Sequence, residues 1–83
     1  MNFIVKHNDP GHGWYQVDRS ELVSAGVADK ISDYSYQNGD RIYLEEDSDA
    51  RLFFEKQKEE KQIVQKYYDE RCFIRNLPAY KTE

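Results

Sequence analysis

The chain has one cysteine, Cys72, among 83 residues. A lone cysteine leaves no intrachain disulfide and fits a reducing cytosol. No run of eighteen apolar residues exists, so no membrane span is expected. The opening Met1-Asn2-Phe3-Ile4-Val5 is too short for the apolar core of a signal peptide, and Lys6 and His7 follow at once. There is no glycine-rich phosphate loop. Ser20, Ser24, Ser35 and Ser48 stand outside any nucleophile elbow, and Cys72, between Arg71 and Phe73, has no partnered histidine. The sequence therefore reads as non-enzymatic, with no cofactor. Apolar residues are also scarce, at 39%, below the usual share for a globular domain.

Aromatics are what the chain does have, including seven tyrosines. A disordered chain would be poor in them, so a folded domain is expected over residues 1–83. A chain this short buries only about 60% of its unfolded surface, so a homodimer or another partner would add stability. The net charge of −4 is uneven. Residues 1–50 hold ten acids against four bases, and residues 51–83 hold six acids against eight bases. An acidic first half argues against direct nucleic-acid binding, which needs phosphate neutralisation, and suits a basic protein surface.

The best-specified stretch runs from Trp14 to Val27. Trp14 to Val17 reads as a strand. Asp18 reads as a helix N-cap with Glu21 three positions later, a capping box, and Val17 and Leu22 can close a hydrophobic staple over it. Gly26 fits the left-handed position past the helix end, where Val27 can pack back on Leu22. Before this, Phe3-Ile4-Val5 reads as a strand and Asp9-Pro10-Gly11 as a turn, so residues 14–17 can return antiparallel to residues 3–6. Downstream, Asn38-Gly39 between β-prone segments predicts a hairpin. That register sets Tyr36 opposite Arg41 and Tyr34 opposite Tyr43, with Ile42 and Leu44 on the buried face.

Residues 45–49 open a second helix, capped by Asp47 or Ser48. It is expected to run continuously from about 48 to 71. Its middle, Glu55 to Gln62, has no apolar residue but consists of good helix formers, with Glu55–Lys58 and Gln57–Lys61 at helical spacing. Residues 76–83 are expected to form a flexible tail. The predicted class is α+β: a small antiparallel sheet with one short capped helix and one long C-terminal helix.

Three clusters are candidate sites. His7, Asp9 and His12 form H-x-D-x-x-H, but the spacing matches no closed zinc site, and a turn is the simpler reading. No metal is assigned. Glu45, Glu46, Asp47 and Asp49 are four acids in five positions. They lack the glycine and glutamate of a calcium loop, and serve either a helix N-terminus or a surface for a basic partner. Tyr34, Tyr36 and Tyr43 with Arg41 form either ordinary cross-strand pairs or an interface anchor. The partner-binding surface is read as Tyr34, Tyr36, Arg41, Tyr43, Glu45, Glu46, Asp47 and Asp49.

Two resemblances bear on function. His12-Gly13-Trp14, Tyr34-Ser35-Tyr36, Gly39-Asp40 and Tyr43-Leu44-Glu45-Glu46-Asp47 resemble small accessory proteins of phages and mobile elements, over roughly residues 7–54. That likeness implies a protein working in the cytoplasm of a bacterial host by binding a bacterial protein, for instance as an inhibitor of a defence system. Val17 to Val27 followed by Gly39-Asp40-Arg41-Ile42-Tyr43-Leu44-Glu45 is similar to swapped-hairpin transcription regulators of the AbrB type. That likeness implies a dimeric DNA-binding regulator instead. Asp18 stands where that family usually has proline, and the stretch is acidic where those loops are basic.

Overall fold

A computed structural model of the chain describes residues 3–57 and 59–82. Lys58 of the expected helix and Glu83 of the expected tail lie outside the described residues, as do Met1 and Asn2. Strand β1 (Phe3–Asn8) turns into β2 (Gly13–Asp18), which runs directly into helix α1 (Arg19–Ala25). Strands β3 (Tyr36–Asn38) and β4 (Arg41–Glu45), helix α2 (Asp49–Lys56), strand β5 (Gln62–Tyr67) and a 3₁₀ turn (Phe73–Asn76) follow.

The local signals around α1 hold. The Asp18 N–H donates to Glu21 Oε2 at 2.8 Å, so the acid three residues on closes the helix start. At the other end Gly26 takes a φ of 75°. The Gly26 N–H donates to the Val23 carbonyl and the Val27 N–H to the Leu22 carbonyl, both at 3.0 Å. That bond pair is a Schellman ending, and Leu22 and Val27 are both buried, which supplies its apolar contact.

The five strands form one sheet in the order β3-β4-β2-β1-β5. All neighbours are antiparallel except β1 and β5, which run parallel with Ile4 beside Ile63 and His7 beside Lys66. The expected all-antiparallel sheet is thus corrected to a mixed one. The β1–β2 hairpin is antiparallel as read from sequence, but it pairs residues 5–8 with 13–16 rather than 3–6 with 14–17, setting Val5 opposite Gln16 and His7 opposite Trp14.

The long C-terminal helix does not form. Helix α2 stops at Lys56, and Gln57 is already extended. The apolar-free stretch 55–62 has no face to bury, and most helical stability comes from packing such a face. The β-branched pair Ile63-Val64 instead joins a six-residue ladder with β1. The C-terminal segment, expected to be a flexible tail, lies against the sheet: Ala79 bridges Tyr36, and Tyr80 is buried.

The hairpin keeps its faces but shifts its register. Tyr36 opposes Tyr43 and Asn38 opposes Arg41, where the sequence set Tyr36 against Arg41. The two turn residues are Gly39 and Asp40, and only Gly39 has positive φ, at 63°; glycine at the first central position is the type II′ arrangement. Buried Arg19 explains the choice. Its backbone N–H donates to the Asp40 carbonyl at 2.7 Å. Its guanidinium donates to Gln37 Oε1 at 2.9 Å, the Gly39 carbonyl at 3.3 Å and the Lys81 carbonyl at 2.9 Å.

Both faces of the sheet carry a core. Ile4, Val17, Ile42 and Leu44 pack beneath the two helices with Leu22, Ala50 and Phe53. Trp14 and Tyr43 on the other face pack with Cys72 and Ile74 of the C-terminal segment. No helix among the described residues is long and apolar enough to cross a membrane.

Candidate functional site

The second core begins from a carboxylate. Asp9 lies in the β1–β2 turn, and its Oδ1 accepts the N–H groups of Gly11 and His12 at 3.0 Å each. Arg75 grips the same carboxylate with two bonds, Nε to Oδ2 at 2.6 Å and Nη2 to Oδ1 at 2.9 Å. The Cys72 N–H adds a third donor from the C-terminal segment at 3.0 Å. The Arg75 guanidinium, then burial acting against it, then these backbone donors hold the Asp9 carboxyl well below the usual carboxylate range. Asp9 thus pins residues 72–75 across the sheet.

His7 is buried beside this knot. Its Nε2 lies 2.8 Å from Gln16 Oε1 and its Nδ1 2.9 Å from the Tyr68 hydroxyl. The amide oxygen can only accept, so Nε2 carries the proton and Nδ1 accepts from Tyr68. Burial pushes the His7 pKa down. With both nitrogens of His7 and both oxygens of Asp9 in protein hydrogen bonds, the H-x-D-x-x-H residues form a structural junction. No metal-holding group of three ligands occurs among the described residues.

Pinning this segment shapes a cleft of about 340 Å³ lined by His12, Trp14, Tyr34, Tyr36, Glu45 and Arg75. Trp14 and Tyr36 meet edge to face at 6.2 Å between centroids, and the Arg75 guanidinium lies 5.2 Å over the Trp14 ring. Tyr34 stands at the lip, 74% exposed. Glu45 supplies the carboxylate. Its oxygens accept the N–H groups of Asp47 at 2.9 Å and Ser48 at 2.8 Å, while its own N–H donates to Ser35 Oγ at 2.9 Å. The charged residues of this aromatic lining are Glu45 and Arg75: Arg75 is paired with Asp9, and the Glu45 carboxylate caps the start of α2 through backbone N–H groups.

The residues read from the sequence as one surface separate into four environments. Tyr34, Tyr36 and Glu45 line the cleft. Tyr43 is only 2% exposed, because the C-terminal segment covers the face on which it lies. Arg41 and Asp47 are exposed and away from the cleft lining. Glu46 is held between Lys6 Nζ at 3.3 Å and the Gly13 N–H at 3.1 Å. Asp49 is buried and accepts the Ser32 hydroxyl at 2.7 Å and the Ser35 hydroxyl at 2.6 Å, tying the loop before β3 to the start of α2. Tyr43 and Asp49 are therefore core residues, and the acidic run is not a continuous surface.

Sequence reasoning missed three residues of the cleft. Trp14 reads there as a strand residue and His12 as a member of the His7-Asp9-His12 cluster, and neither belongs to the partner-binding surface read from the sequence. Arg75 gives no local signal, since its site exists only after a contact between Asp9 and the C-terminal segment. No protein-family model, no curated protein and no solved structure matches this chain.

Proposed function

We propose that this chain is a non-enzymatic accessory protein that binds another protein, and that the aromatic cleft receives a basic side chain of that partner. The observation that carries the reading is exposed Tyr34 and half-buried Tyr36 beside the Glu45 side chain in one cleft, with buried Trp14 behind them under the Arg75 guanidinium. An aromatic wall attracts a cation through its ring quadrupole, and a carboxylate beside it adds charge complementarity. Tyrosine and tryptophan are also the residues on which interface energy concentrates. The phage-type likeness would make the partner a bacterial protein with a basic surface, with inhibition of a defence system as its most concrete form.

Trp14 is the only tryptophan, so its fluorescence reports on the cleft. Titration with a short arginine-lysine peptide is expected to give a saturable change, lost in Glu45→Gln and in Tyr34→Ala. A glutamate-rich peptide is expected to give none. Equal responses to both peptides, or none to either, would reject the cleft as the binding surface. Micromolar binding to duplex DNA in a gel shift near physiological salt would favour the regulator reading instead.

A further inference from the structure

The outer edge of β5 is the longest unoccupied strand edge in the described molecule. All six of its residues are exposed, and no described strand pairs with that side. The strand Gln62-Ile63-Val64-Gln65-Lys66-Tyr67 has no proline and no glycine, and only Lys66 is charged. Soluble proteins usually blunt such an edge with prolines, bulges or several charges.

Two hydrogen bonds establish which main-chain groups point outward. The Tyr68 N–H donates to the Asn8 carbonyl at 2.8 Å, and the Lys66 carbonyl accepts Asn8 Nδ2 at 3.2 Å. Both groups face β1. Main-chain direction alternates along a strand, so even-numbered residues face β1 while Ile63, Gln65 and Tyr67 face the open edge.

We infer that this edge pairs with the same edge of a second copy, antiparallel, about a two-fold axis at Gln65. In that register Gln65 opposes Gln65 and Ile63 opposes Tyr67 in both directions. Each of these pairs exchanges two main-chain bonds, so every outward N–H and carbonyl of the strand is satisfied. Sliding by one step either way leaves two of the outward groups on each strand unpaired. The slide toward the C-terminus also sets Lys66 directly against Lys66. At the Gln65 register Lys66 instead falls opposite Val64, so no like charges face each other along the strands. Ile63 against Tyr67 is a favourable β-branched–aromatic cross-strand pair, and Tyr67 is among the most exposed large side chains of the molecule. The result is a continuous ten-stranded sheet with isologous symmetry and the helices of both copies on one side. The contact lies on the opposite sheet edge from β3, so it stands or falls independently of the cleft.

An edge of this length associates weakly, so sedimentation equilibrium is run up to about 1 mM, where interfaces below roughly 1,200 Å² populate. The wild-type mass is expected to rise toward twice the monomer. Gln65→Lys and Gln65→Glu, each checked for unchanged far-ultraviolet circular dichroism, are expected to remain monomeric alone and to regain the dimer mass when mixed in equal amounts. That rescue requires residue 65 of one copy to lie beside residue 65 of the other, and protection of both Ile63 and Tyr67 distinguishes the Gln65 register from a one-step slide. Hydrogen exchange on the wild type supplies a measurement that needs no variant. Protection of the Ile63, Gln65 and Tyr67 amides should rise with concentration, while that of Val64 and Lys66 should not. A wild type that stays monomeric, a dimer that survives Gln65→Lys, a mixture that stays monomeric, or exchange independent of concentration would each overturn the pairing.

Discussion

The two edges of this sheet are treated in opposite ways. Strand β3 is three residues long and is closed by the C-terminal segment. The Gln37 N–H donates to the Pro78 carbonyl at 2.9 Å, the Tyr80 N–H donates to the Ser35 carbonyl at 2.8 Å, and Ala79 bridges Tyr36. The Tyr80 hydroxyl donates to the Ala28 carbonyl, and the Arg19 guanidinium lies 5.3 Å over its ring. Strand β5 is twice as long and has no such cover among the described residues. An unpaired main-chain group at an edge costs little while water reaches it, but it remains a template for another strand. The closed edge serves the fold, and the open edge is left for association.

The largest test opens the closed edge. Tyr80→Ala removes a buried aromatic and its hydroxyl bond, and should cost about 3 kcal/mol or more in a denaturant titration. A loss below about 1 kcal/mol would show that residues 78–80 do not close β3. Next comes the polar support beneath the same edge. Asp49→Ala leaves the Ser32 and Ser35 hydroxyls without their acceptor and should cost about 3 kcal/mol, whereas exposed Asp47→Ala should change the midpoint little. Equal effects would return Asp49 to the surface reading that its sequence context suggested.

The asymmetry between the edges also explains what the sequence disclosed. The α1 caps were legible because Asp18, Glu21, Gly26 and Val27 act within one helix length. Gly39 marked its hairpin, but the register depended on Arg19, which belongs to another element. Strand β5 was illegible because residues 55–62 favour a helix by propensity, while the ladder with β1 pairs segments far apart in sequence, from Phe3 beside Gln62 to Asn8 beside Tyr67. In the cleft, Tyr34, Tyr36 and Glu45 showed as β-hairpin aromatics and an acid. Tyr43 shared their pattern and is buried, because the covering segment around Ile74 comes from a part of the chain with no periodicity. Local signals thus revealed the elements, and long-range contacts decided which faces stayed open.

A smaller effect is expected at the β3–β4 turn. Gly39→Ala places a Cβ at a φ of 63°, which should cost about 1 kcal/mol by thermal or chemical unfolding. There is open space around that Cβ position, so the cost is backbone strain alone. Asn38→Ala, which has no positive φ to satisfy, should cost less. Reversed magnitudes would put the left-handed residue at position 38 and restore the register read from the sequence.

The smallest effect concerns how the open edge is attached on its inner side. His7 Nδ1 accepts the Tyr68 hydroxyl just past the end of β5, and the Tyr68 N–H bonds to Asn8. Burial lowers the folded-state pKa of His7 below its ordinary value of 6.5. Between those two values the unfolded chain binds more protons than the folded one, so stability must rise with pH there. The contribution is complete above about pH 6.5 and is lost as pH falls through the folded value. Asp9 adds nothing in this window, because Arg75 keeps its carboxyl ionised far below it. Protonating Nδ1 also removes the acceptor for Tyr68. Lowering the pH from about 7.5 to 5 should therefore reduce the unfolding midpoint. It should also speed exchange at the Tyr68 amide before those of Gln37 and Tyr80 at the closed edge. His7→Gln should flatten the difference. A pH slope that survives His7→Gln would show that β5 is not held through this imidazole.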